Sequence, residues 1–288
     1  MISTTLFGII LGFVAILGSF FWEGGSPETL FLLPAITIVI GGTLAAGITG
    51  TSFQVFARLP VLLRITISPK QYNWMALLDK IILLSSQARK SGILTLEESV
   101  NKIEHPFMRK MFLVMIDGID NQNLLNIAEF ELSSITERHF ENISFLNKLG
   151  GYSPTMGIIG TVMGLIATFA AAGSDPNVLI HHIASAFIAT LWGIFMANIV
   201  WLPLADKLRY LHDAEMKLNN FILNGISAIQ IGDTPSVIMM KLAAAFPASE
   251  QEGIMKRLKK IKSNELEEKR LHENQINHQN QPMKVKVS

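Results

Sequence analysis

The chain has no cysteine, and that absence alone removes a disulfide framework, a thiol nucleophile, a zinc-thiolate centre and an iron-sulfur cluster. It is also short of charge: Asp, Glu, Lys and Arg make up 16% of its 288 residues, against roughly 25% in soluble domains. The shortage is local. Residues 1–22, 29–57, 149–174 and 176–205 contain no Asp, Glu, Lys or Arg. Each window is longer than the roughly 20 apolar residues that cross a bilayer, and the sequence between them carries ordinary charge. The pattern is that of a polytopic membrane protein, all-α with four transmembrane helices, and it excludes a soluble enzyme and a secreted domain. Lys and Arg number 24 against 23 Asp and Glu. A net charge of +1 offers no basic footprint for phosphates, so nucleic acid is not an expected partner. The seven histidines are scattered or adjacent, as at His181 and His182. Adjacent positions do not share a helix face, so no metal site is expected.

The charges that are present set the expected topology. All 24 Lys and Arg fall within residues 58–148 and 207–286, whereas the connectors 23–28 and 175 carry acidic groups only. By the positive-inside rule both basic segments and both termini face the cytoplasm, with two short outer loops at 22–29 and 172–177. The first span has no Lys or Arg before it and no small-residue cleavage pattern at 19–22, so it is expected to stay attached rather than act as a signal peptide. Charge divides the chain into helices 1 and 2 (1–57), a cytoplasmic helical domain (58–148), helices 3 and 4 (149–208), a cytoplasmic helical segment (209–254) and a charged tail (255–288) whose end is expected to be disordered. Within 58–148, Met75, Leu78, Ile82 and Leu83, then Phe112, Met115 and Ile119, then Leu132, Ile135, His139 and Ile143 recur at helical spacing. Breaks are expected at Ser68-Pro69, Ser91-Gly92 and His105-Pro106, and later at residues 232–235.

The third window, GGYSPTMGIIGTVMGLIATFAAAGS, holds the densest motif. Pro154, Gly157, Thr161, Gly164 and Thr168 recur every three or four residues, which puts a proline, two glycines and two hydroxyls on one helical face. Gly160 and Gly164 add a small-xxx-small pattern. In the fourth window Ala186, Ala189 or Thr190, Gly193 and Ala197 form a second small stripe ending near Pro203. Two readings follow: close helix packing, or faces bordering a polar path, since a proline frees a backbone carbonyl one turn earlier. No span contains Asp, Glu, Lys or Arg. A proton or cation pathway normally uses an intramembrane ionisable group, so a titrating carboxylate would have to come from a partner.

The run GGYSPTMGIIGTVMGLI, the later ASAFIATLWGIFMANIVWLPLADKL and the polar ARKSGILTLEE together resemble the A subunit of bacterial flagellar stator units, the MotA/PomA type, from the first span to about Pro247. The resemblance implies a homo-oligomeric ring, a pentamer, in the bacterial inner membrane. The ring would surround the helices of a single-span B subunit bearing a membrane aspartate and turn against a rotor C-ring protein. It implies no catalytic residue and no cofactor. By the same motifs Arg89, Lys90, Glu97 and Glu98 fall on rotor-facing charges, Pro154 and Pro203 on conformational prolines, and Thr161 and Thr190 on hydroxyls beside the ion path. Gly157, Gly160, Gly164 and Gly193 remain helix-packing positions. The hydroxyls favour sodium as the coupling ion over the proton, because similar proton-driven members often carry alanine at the position of Thr161. The second hydroxyl of a Thr-Thr pair is missing, since Ala189 precedes Thr190. An energiser of the ExbB/TolQ type is the alternative, although such proteins usually have three spans. An independent channel or transporter would need its own filter or internal duplication, and neither is visible.

Overall fold

The computed structural model describes residues 4–171, 173 and 175–279. Part of the expected second outer loop (172 and 174) and the last residues of the tail lie outside the described residues. Every element among the described residues is helical. Four helices are long and apolar enough to cross a membrane. They are α1 (Thr4–Trp22), α2 (Pro27–Thr49, in four pieces), α8 (Asn121–Ala170) and α9 (Pro176–Gln230). Between α2 and α8 lie α3 (Phe53–Ala57), α4 (Leu59–Ile67), α5 (Trp74–Ser91), a 3-10 turn (Ile93–Leu96), α6 (Glu97–Asn101) and α7 (Pro106–Ile116). After α9 come α10 (Pro235–Ala243) and α11 (Ala248–Gln279).

Local chemistry explains the starts and stops. Asn73, His105 and Thr234 each accept a hydrogen bond from the backbone N–H three residues on, capping α5, α7 and α10. Pro106 and Pro235 sit in the first turn, where a missing N–H costs nothing. All four expected breaks fall at helix ends. Two features were not expected. Turns of π-helix occupy Thr37–Gly41 in α2 and Met196–Trp201 in α9, the latter directly before Pro203, which leaves the Ile199 carbonyl without its usual donor. The apolar register of α5 also differs: Leu83 is exposed, and Leu78, Ile81, Ile82 and Leu84 face the core instead.

The chain divides into two compact units, residues 1–71 with 133–215 and residues 72–132 with 216–288. The division follows packing rather than charge. In the first unit, Val55 and Leu62 of the short polar-side helices pack with Ile143, Phe145, Leu149, Trp201 and Leu208 in one cluster. Trp192 ties the fourth span to the second, donating its indole N–H to the Leu30 carbonyl at 2.8 Å. Helix α1 fully buries none of its residues: Ile9 and Phe13 lean on the unit's apolar clusters, Phe13 edge-on to Phe195 at 4.5 Å, and the rest of its surface is left for lipid or other subunits. In the second unit Leu78, Ile81, Met111, Phe112, Leu124, Ile222, Ile226 and Ile238 form a conventional apolar core. Helix α11 joins it through Ile254 and Leu258, and the Arg257 Nη1 donates to the Asp79 carboxylate, 2.7 and 2.9 Å from its two oxygens.

Candidate functional site

The two small-residue stripes meet. A Cβ placed on Gly157 would lie 2.8 Å from the Ala189 carbonyl oxygen and 3.1 Å from the Thr190 Cα. One on Gly193 would lie 2.7 Å from the Ser153 carbonyl oxygen and 3.1 Å from the Gly157 Cα. Gly160 and Gly164 face the Ala189 and Ala186 methyls in the same way, at 2.6 and 2.8 Å. Backbone therefore rests on backbone along this seam between α8 and α9, a spacing that only small residues permit. The opposite face of α8 presents Ile158, Val162, Ile166 and Phe169, all exposed.

Within the seam the structure brings Thr161 and Thr190 into direct hydrogen-bond contact. The Thr161 hydroxyl also lies 3.1 Å from the Gly157 carbonyl oxygen on its own helix and 3.0 Å from the Ala186 carbonyl oxygen across the seam. One hydroxyl carries one proton, so Thr161 donates to a single acceptor at a time. The remaining oxygens form a compact group of neutral, hard donors in a segment with no charge of its own. Thr168, expected on the same face, donates to its own helix at the Gly164 carbonyl, 2.9 Å away. Pro154 lies within α8, where it cannot donate to the Gly150 carbonyl. Sequence reasoning missed Ser153. It is fully buried beside Pro154, and its hydroxyl has no partner among the described residues. Its position in the Pro-Gly-Thr motif was the available signal.

The polar corner is built separately, in the second unit. Arg89 and Lys90 occupy the last turn of α5, and Glu97 and Glu98 the first turn of α6. All four side chains are exposed. Between them Gly92 has φ 90° and ψ 158°, a conformation essentially limited to glycine. The fully buried Leu96 and a hydrogen bond from the Gln87 amide to the Thr95 carbonyl, 3.0 Å, hold the corner in shape. Cations at a helix C-terminus and carboxylates at an N-terminus also complement the helix dipoles, so these charges suit the helices that carry them. Glu98 pairs with Lys102 at 2.7 Å, and that hydrogen bond and charge hold its carboxyl below the usual range. No cluster of three or more His, Asp or Glu that could hold a metal occurs among the described residues.

Comparison with known proteins agrees along nearly the whole chain. Residues 6–92 match the motility protein A N-terminal family, and residues 99–220 match the MotA/TolQ/ExbB proton channel family. Motility protein A of Bacillus subtilis is 31% identical over 252 residues, covering 87% of this chain and 93% of that protein. Chemotaxis protein PomA of Vibrio alginolyticus is 32% identical over 240 residues, covering 81% and 91%. Among solved structures, the flagellar MotAB stator complex from Bacillus subtilis superposes with a TM-score of 0.81 at 31% identity over 87% of this chain and 98% of that one. Four spans, a glycine and threonine seam and similarity of this extent establish that the chain belongs to the motility protein A (MotA/PomA) family.

Proposed function

We propose that the chain is the A subunit of an ion-driven flagellar stator, multi-pass in the bacterial inner membrane with both termini in the cytoplasm. The observation that carries this reading is the full-length similarity to stator complexes, over 98% of the Bacillus chain. In this reading several copies, five by family resemblance, ring the membrane helices of a B subunit whose aspartate takes up the ion. The absence of any Asp, Glu, Lys or Arg in the four charge-free windows supports a division of labour in which the A subunit supplies shape and neutral oxygens, and its partner supplies the titrating group. The α1 surface left unburied, and the exposed apolar face of α8, are available for neighbours and lipid.

The coupling ion is sodium in this reading. Hydroxyl and carbonyl oxygens replace the hydration shell of an alkali cation without themselves titrating. The group at Thr161, Thr190, Gly157 and Ala186 is of that kind. Pro154 and Pro203 interrupt the hydrogen-bond ladders of α8 and α9 and give the spans places to flex, while Arg89, Lys90, Glu97 and Glu98 meet the rotor. The test is expression of the chain with its cognate B subunit in a strain without stators, reading rotation against external sodium at fixed pH. Speed should rise with sodium and survive a protonophore. Rotation indifferent to sodium that collapses with the protonophore would leave the stator assignment standing and make the unit proton-driven. No rotation from a correctly inserted complex would overturn the stator reading itself.

A further inference from the structure

One partly buried cluster takes no part in the seam or the corner. His139 on α8 and His212 on α9 face each other with their Nδ1 atoms 3.1 Å apart, their rings edge to face at 5.3 Å. His212 is only 5% exposed and also meets the Phe140 ring edge-on. The pair lies ten residues before the charge-free part of α8 and seven after that of α9. It therefore joins the two helices just beyond the membrane, on the basic side of the chain. We propose that this histidine pair is a proton-sensitive clasp that holds α8 against α9 when both rings are neutral and loosens when they take up protons.

The chemistry is that of a shared hydrogen. At 3.1 Å one Nδ1–H donates to the other Nδ1 lone pair, which requires at least one ring to be neutral at that atom. A first added proton preserves the bond but puts a charge in a partly buried site. A second sets two N–H groups against each other. The charged groups that act on His139 are Arg138 on α8 and Glu215 on α9; nearby, Arg209 of α9 lies over the Phe140 ring that His212 meets, and Glu141 of α8, two residues on from His139, pairs at 3.5 Å with Arg58 from the α3–α4 junction. Burial is the largest influence on His139 and favours its neutral form; Glu215 opposes this, and His212 and Arg138 reinforce it. A histidine whose folded pKa is lowered stabilises the fold above its unfolded value, near 6.5, and that stability drains away as pH falls below it. Acid thus weakens the clasp and alkali sets it.

Asparagine is the fitting replacement, because its amide reaches the position of Nδ1 and hydrogen-bonds without titrating. Hydrogen exchange of the full-length wild-type chain, corrected for intrinsic rates, should show residues 136–143 and 208–215 losing about tenfold more protection than residues 78–84 when pH drops by about two units across 6.5. His139→Asn, and separately His212→Asn, should flatten that difference. The wild-type measurement stands even where a variant folds poorly. Equal loss in all three segments, or a difference that survives both substitutions, overturns the clasp. A second arm, which rests on the stator reading, lowers cytoplasmic pH with a permeant weak acid: wild-type rotation should fall more steeply than that of His139→Asn. Matching slopes there, with the exchange result intact, would confine the clasp to stability and remove it from motor control.

Discussion

At Gly193 the neighbour is backbone, and that decides what a single methyl does. The Ser153 carbonyl oxygen and the Gly157 Cα cannot swing aside as a side-chain tip can, so Gly193→Ala must separate α8 from α9. Overpacking of this kind costs about 1–3 kcal/mol, and here it also disturbs the Thr161–Thr190 contact. Gly193→Ala should lower the amount of assembled complex in detergent extracts, whereas Gly8→Ala, with nothing within 4 Å, should leave it unchanged. Thr161→Ala separates packing from ion handling at the same seam. Losing one intramembrane hydrogen bond costs about 0.6 kcal/mol on average, too little to prevent assembly. In the sodium reading rotation should nevertheless weaken or stop, and sodium-dependent speed that is unaltered by Thr161→Ala would return that residue to a packing role.

The corner between α5 and α6, proposed above to meet the rotor, holds its shape without its exposed charges. Its shape rests on Gly92, Leu96 and the Gln87–Thr95 hydrogen bond, not on the exposed charges. Solvent-exposed pairs contribute between 0 and about 1 kcal/mol. Arg89→Glu combined with Glu97→Lys should therefore insert and assemble normally while motility falls, and reciprocal charge changes on the rotor should partly restore swimming. Normal swimming in the double variant would reassign these residues to dipole complementation alone. Elements of this kind were legible in sequence, because the signals that end a helix are local: Ser91-Gly92, His105-Pro106 and Gly232 through Pro235 each mark an observed boundary. Spans were legible for the same reason, as gaps in charge. What could not be read depends on partners distant in the chain. The His139–His212 pair spans 73 positions and the Trp192–Leu30 bond 162, and no periodicity announces either. The register of α5 failed at Leu83 because an apolar residue beside a core stripe fits helical spacing whether or not the core reaches it.

Across the whole molecule, orientation in the bilayer is the property on which every functional assignment depends. Burial cannot supply it, since a helix crosses equally well in either direction. Charge supplies it: all 24 Lys and Arg lie in the segments 58–148 and 207–286, and the only charges between α1 and the first of these are Glu23 in the connector and Glu28 in the first turn of α2. If the seam prolines and the corner charges are to work on one side of the membrane, with the acidic connector on the other, that bias must be obeyed. The absence of native cysteine makes the test clean, because each introduced thiol is the sole reactive site in the chain. Ser26→Cys, in the turn before α2, should react with an impermeant maleimide added to intact cells. Ser134→Cys, on the exposed surface of α8 well before its charge-free part, should react only after the membrane is permeabilised. Cysteine is close to serine in size, Ser134 is exposed and Ser26 is only partly buried, so neither substitution should disturb folding. Labelling of Ser134→Cys in intact cells would invert the topology, move Arg89 and Glu97 to the side away from any cytoplasmic rotor, and take the stator mechanism with it.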